Sequence, residues 1–105
     1  MLPLPRTGME TTLTYAYANI VLSAPGELDA YREKAGQALA KHGGKVLQAS
    51  PSQTVLEGTR DETGIGVILE FPDADAAHAW INDPELAQTH ALRRGAGSST
   101  ITLLG

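Results

Sequence analysis

Cysteine is absent from the chain, which excludes disulfide bridges, thiolate nucleophiles and Cys-ligated metals. Aromatic side chains are scarce: one Trp, one Phe and three Tyr, too few to bury much ring area. Large aliphatics are scarce as well. Leu, Ile, Val and Phe together supply 23 of the 105 residues, whereas alanine alone supplies 15. No apolar run approaches the roughly 20 residues of a transmembrane helix, so the sequence predicts no membrane partner. The segment MLPLPRTGMETT carries one Arg, two prolines and no apolar stretch, unlike a secretory signal, and a cytoplasmic location is the default expectation. Residues 1–10 read as a disordered leader, because Pro3, Pro5 and Gly8 disfavour both regular structures, and residues 11–105 as a single domain.

Positive charge is in short supply. Twelve acids against eight bases leave a net charge of −4, without the basic stripe of a nucleic-acid binder. Between Asp61 and Glu85 there are seven acids and no Lys or Arg, a stretch that repels phosphate-rich ligands. What is present in quantity is alanine, so the core is small. A small core gains stability when a second copy buries part of its surface, and a homodimer is the expected state.

Hydrophobic spacing outlines the elements. In LTYAYANIVL, residues 13–22, Ala16, Ala18, Ile20 and Leu22 form one wholly apolar face of a strand, as a face beneath helices would. The other face carries Leu13, Tyr15, Tyr17, Asn19 and Val21. A helix from Glu27 to Lys41 follows, with Leu28, Tyr31, Ala35, Ala38 and Leu39 at three- and four-residue spacing and Gly43-Gly44 as its stop. Lys45–Ala49 and Gln53–Glu57, separated by Ser50-Pro51-Ser52, read as one interrupted edge strand. A polar turn from Gly58 to Gly64 leads to a strand over Ile65–Phe71. Asp73 caps a second helix running to Asn82, and Asp83-Pro84 opens a short third helix ending before Gly95-Ala96-Gly97. The last strand spans Ser98–Leu104.

The order β-α-β-β-α-(α)-β is that of an α+β, ferredoxin-like split βαβ domain. It predicts a four-stranded antiparallel sheet in spatial order 4-1-3-2 with helices on one face, and it leaves the other face bare.

The strings AYREKAGQALAKHGGKVL, VLEG and VILEFPDADAAHAWINDPE resemble the domain-of-unknown-function family numbered thirteen-thirty, of the dimeric α/β-barrel superfamily. The resemblance rests on Tyr31, Gly43-Gly44, Leu56-Glu57-Gly58, Glu70-Phe71-Pro72, Ala77, Trp80 and Pro84-Glu85, and covers about residues 15–104. It implies that two copies form a barrel, sheet against sheet, which would cover the bare face. It implies no particular activity. The segment after Pro84, ELAQTHALRRGAGSS, departs from the family's usual Tyr-rich pattern.

Candidate chemistry is sparse. His42, His78 and His90 fall in three different elements with no metal-ligand spacing, so no metal site is expected. Glycines 58, 64, 66, 95 and 97 make no dinucleotide or phosphate-loop pattern, and no cofactor is expected. His42 reads as a helix C-terminal residue and His78 as surface. His90 is a candidate base on a cavity rim, but the sequence shows no group to orient it. Arg93 either holds a carboxylate at a cleft mouth or, the favoured reading, answers the helix dipole beside Arg94. Trp80 either anchors the core with its N–H on a carbonyl or forms a cavity wall.

Tyr15, Tyr17, Asn19 and Glu70, candidate ligand-binding residues along with Trp80 and Arg93, should project together from the two central strands, away from the helices. Glu70 is the candidate catalytic carboxylate, within reach of Tyr15 or Tyr17, with a structural role favoured over a catalytic one. The facing of Glu57 is left open by the Pro51 break. The sequence thus predicts a homodimer that binds a small, mostly apolar molecule beside the sheet. The alternatives are a cofactor-independent monooxygenase or isomerase acting on an aromatic or polyketide-like substrate, by analogy of fold, and a structural or regulatory dimer without ligand.

Overall fold

The computed structural model describes residues 13–60 and 63–105; the expected leader over residues 1–10 lies outside them. The elements run β1 (Thr14–Leu22), α1 (Pro25–Lys41), β2 (Lys45–Ser50), β3 (Ile65–Phe71), α2 (Ala74–Asn82), a 3-10 turn (Pro84–Leu86), α3 (Ala87–Ala96) and β4 (Gly97–Leu104). The sheet is β2-β3-β1-β4, antiparallel throughout. This is the expected order read from its other edge.

Register fixes the two faces. Ala16 lies opposite Leu69 and Leu103, and Ala18 opposite Val67 and Ile101, so the small apolar face of β1 continues across its neighbours. The core sits there: Leu39 and Ala38 of α1 and Ala77 and Trp80 of α2 pack on Ala16, Leu69 and Phe71. The rings of Phe71 and Trp80 are 5.5 Å apart. Tyr15, Tyr17 and Asn19, with Ile68 and Glu70, point to the other side. Leu22, expected beneath the helices, is exposed at the end of β1, where its cross-strand partner Gly97 offers no side chain to cover it.

The helix ends are tied by short polar contacts. Gly43 follows α1 with φ +75°, the left-handed conformation that a Cβ would strain, and Pro72 packs against it. Asp73 caps α2 by accepting from the Ala76 N–H at 2.7 Å, and Asp83 caps the 3-10 turn through the Glu85 N–H at 2.8 Å. Asp83 also pairs with Lys41 at 2.7 Å and His42 at 2.8 Å, so the C-terminus of α1 is fastened to the start of the third helical segment. The Lys41 ammonium, then the His42 ring and the Glu85 N–H, hold the Asp83 carboxyl well below the usual carboxylate range.

Two expectations are corrected. Gln53–Glu57 forms no strand: β2 ends at Ser50, and residues 51–60 run as a loop. The Pro51 ring removes a ladder donor, and the chain leaves the edge instead of resuming it. The third helix does not stop before Gly95-Ala96. It continues through both, and Ala96 accepts from the N–H groups of Ser23 and Ala24 at 2.8 and 2.9 Å, which locks the end of α3 to the end of β1.

Candidate functional site: a cavity between the first helix and the sheet

The helical layer covers the sheet unevenly. α1 packs on α3 and over the central strands, while β2 is exposed over nearly its whole length. Between α1 and the sheet lies a cavity of about 240 Å³. Its floor is Ala18, Ile20, Val67 and Leu69; its roof is Leu28, Tyr31, Ala35 and Leu39. Arg32, Gly36, Val46 and Ala49, all exposed, form the rim toward β2. Small side chains make the space. Ala18, Ala35, Gly36 and Ala49 stand where larger residues would fill a helix–sheet interface, which is where the alanine excess of the sequence has its effect.

One residue of the inner wall, Arg93, belongs to a buried polar pair. His90 and Arg93, one turn apart on α3, are 2% and 3% exposed. Arg93 Nη1 donates to His90 Nδ1 at 2.8 Å. An accepting Nδ1 makes His90 the neutral tautomer protonated at Nε2, which donates to the Trp80 carbonyl at 2.9 Å. Burial pushes the His90 pKa down, and the positive charges of Arg93 and Arg94 add to that, against the opposing pull of the Trp80 carbonyl. The His90 ring meets the Trp80 indole edge-on, centroids 4.8 Å apart. The Arg93 guanidinium lies 5.7 Å from the Trp80 centroid and 5.8 Å from that of Tyr31.

These placements alter three readings. His90 does have orienting partners: Arg93, three residues on, and the Trp80 carbonyl. Arg93 is not a solvated helix-end cation but a buried one, because α3 turns this face onto α1 and Trp80. The Trp80 N–H reaches no carbonyl; Nε1 is buried without a hydrogen-bond partner, and it is the backbone oxygen of Trp80 that is engaged.

Tyr15, Tyr17, Asn19 and Glu70 do project away from the helices, on the opposite side of the sheet from His90, Trp80 and Arg93. They are not one constellation. Asn19, 6% exposed, accepts at Oδ1 from Gln53 Nε2 at 2.6 Å and from the Gly64 N–H at 2.9 Å. Gln53 Nε2 also donates to the Gly64 carbonyl at 2.8 Å. The Tyr17 hydroxyl donates to Gln53 Oε1 and accepts from Arg60 Nη1 at 3.0 Å.

Gln53, expected in an edge strand, thus pins the 51–60 loop across one end of the open face. Gly66 lies beneath it: a Cβ there would come within 2.9 Å of the Gln53 side chain, which would have to shift. Glu70 lies directly opposite Tyr15 in the register, but its charged partner is Lys45 of β2, at 3.5 Å. Glu57 is exposed and belongs to no strand. Among the described residues no group of three or more His, Asp or Glu is arranged to hold a metal ion, and no helix is long and apolar enough to cross a membrane.

A split βαβ sheet, antiparallel throughout and with its helices on one face, defines an α+β, ferredoxin-like domain. The chain belongs to the family described as Domain of unknown function (DUF1330), whose profile matches residues 13–105. No curated protein matches the chain significantly. Among solved structures, it resembles the RPA0582 protein of unknown function from Rhodopseudomonas palustris, at 22% identity and TM-score 0.69 over 90% of this chain and 82% of that one. It also resembles SnoaB, a cofactor-independent oxygenase from Streptomyces nogalater, at 18% identity and TM-score 0.59 over 91% and 93%. A dimeric ferredoxin-like protein of unknown function from Jannaschia sp. CCS1 matches at 12% identity and TM-score 0.63 over 89% and 98%.

Proposed function

We propose that the protein is a homodimer that binds a small, mostly apolar molecule in the cavity between α1 and the sheet. The observation that carries this reading is the cavity itself. About 240 Å³ is left open beneath a helix that packs closely elsewhere, and cores of this size ordinarily close such space. The dimer is supported by the open sheet face, where Tyr15 and Leu104 are cross-strand partners and both exposed, and by the dimeric state of the Jannaschia protein of similar fold. A cytoplasmic location is part of the same reading.

An oxygenase like SnoaB is the second reading, and the likeness of fold is what favours it. His90, the candidate base for such chemistry, does not line the cavity, and both its ring nitrogens are already engaged. Binding is therefore the better-supported function.

Native mass spectrometry of the purified protein tests the proposal. The expected result is a mass twice that of the 11.1 kDa chain, with a small non-covalent adduct that is lost on gentle activation. A monomer free of adduct, which also fails to bind any small apolar compound in a thermal-shift screen, would refute it.

A further inference from the structure

Arg93 is a buried cation without an anion. Among the described residues none of the ion pairs includes it. Nη1 is committed to His90, and Nε is buried with no hydrogen-bond partner. The flanking faces of Tyr31 and Trp80 offer only their ring quadrupoles, which do not replace an acceptor. A guanidinium taken out of water is ordinarily given a carboxylate; this one instead contributes to the wall of an apolar cavity. Trp80 Nε1, in the same cluster, is the other buried side-chain atom without a partner among the described residues, although Trp80 lines the neighbouring pocket beside Phe71 and Ala77 and not this cavity. Both orphans are donors. What the cluster lacks is an acceptor.

The chemistry of that acceptor is narrow. A carboxylate is planar and carries two acceptor oxygens; one can take the terminal guanidinium nitrogen that is not committed to His90, and a small turn of the side chain brings Nε, buried in this structure, to the other. A phosphate dianion would need further donors, and apart from Arg32 at the rim and Tyr31 in the roof the remaining wall is aliphatic. The cavity volume lies below the usual range of roughly 300–1,000 Å³ for ligand sites, so the body attached to the carboxylate is small. Its surroundings, Leu28, Leu39, Val67 and Leu69, require it to be hydrocarbon.

We propose that the cavity takes a small apolar monocarboxylate, its carboxylate on Arg93 and its hydrocarbon body between α1 and the sheet. This rests on the reading of the cavity as a ligand site, and specifies the charge and size of what fills it. The neutral His90 ring holds one end of the guanidinium while adding no charge of its own.

The test uses pairs of compounds matched in shape and differing in charge: phenylacetate with phenylacetamide, and hexanoate with hexanamide. Each is titrated calorimetrically into the full-length protein near neutral pH. At least one carboxylate should bind more tightly than its amide by about 10- to 100-fold, the range for a hydrogen bond made to a charged group. Arg93→Met should abolish the preference and leave weak, equal binding of both members. Should that variant fail to fold, Arg32→Met separates the two cations of the cavity: a preference that survives it belongs to Arg93, and one that is lost with it overturns the proposal. If an amide binds as tightly as its carboxylate, or more tightly, the proposal is overturned while the cavity remains an apolar site. If none of the four compounds binds, both this proposal and the cavity reading fall.

Discussion

Replacing Ala35 by leucine should stabilise the protein, and replacing Ala38 should do the opposite. Both alanines lie on α1, three residues apart. Ala35 lines the cavity, whereas Ala38 is 4% exposed within the packed cluster around Leu39 and Phe71. Leucine adds three carbons, each worth about 0.8 kcal/mol when buried. At position 35 that is about 2.4 kcal/mol, less about 0.5–1 kcal/mol for the leucine rotamers, a net gain on the order of 1.5 kcal/mol. At position 38 there is no space, and overpacking costs about 1–3 kcal/mol. Urea unfolding followed by far-UV circular dichroism reads the difference. Protein concentration must be held fixed, because dimer stability depends on it. With m of about 1–3 kcal/mol/M for a small protein, the Ala35→Leu midpoint should rise by roughly 0.5–1.5 M and the Ala38→Leu midpoint should fall. The same Ala35→Leu change should weaken any ligand of the cavity. A loss of stability at position 35 comparable to that at 38 would show that the cavity is closed in solution and would refute the reasoning.

Gln53→Ala removes the side chain that bridges Asn19, Gly64 and Tyr17. It should cost about 1–3 kcal/mol and expose the 51–60 loop to limited proteolysis, and an unchanged digestion pattern would show that Gln53 does not anchor it. His90 has a native pKa below its ordinary value, so the unfolded state takes up its proton first. Its contribution is complete above the usual value of about 6.5 and is lost as pH falls through that value toward the lower native one. Urea midpoints should therefore drop on acidification through this window, and His90→Gln should flatten that slope. Gly36 lies inside α1, and a Cβ added there would meet nothing within 4 Å. Gly36→Ala should raise the melting temperature, by the equivalent of about 0.5–1 kcal/mol; a lower melting temperature would show that a methyl group is not accommodated there.

The order of the elements made the sheet order legible in the sequence, and the period-two pattern of β1 and β3 its two faces. Ala16, Ala18 and Ile20 against Tyr15, Tyr17 and Asn19 is an unambiguous division, and the caps at Asp73 and Asp83 are local signals that tertiary packing did not override. The functional side was legible only in part. His90 and Arg93 stand one helical turn apart in the sequence, which signals contact between them, but helical spacing does not say which face of α3 is buried. That depends on how α3 lies against α1, a long-range fact. Gln53 was obscured because VLEG and its neighbours have strand composition, and only the tertiary pull of Asn19 and Tyr17 shows that the chain leaves the edge at Pro51. The cavity was hinted at by the alanine excess, yet composition does not locate a void.

The irregularity in β2 bears on how this protein can change over generations. Val46 pairs with Leu69 and Gln48 with Ile68, so Leu47 stands outside the ladder as a bulge. Strict alternation from Val46 would turn Gln48 into the cavity; the extra residue turns Ala49 there instead. A codon deletion at Leu47 would restore an unbroken ladder in which every remaining pair is kept, and the cavity wall would keep its composition. The same deletion two codons later would bring Ser50 into the wall. Loss of one residue from this edge strand thus preserves the lining at one position and rewrites it at a near neighbour, so the strand can lose Leu47 while the pocket chemistry is inherited unchanged.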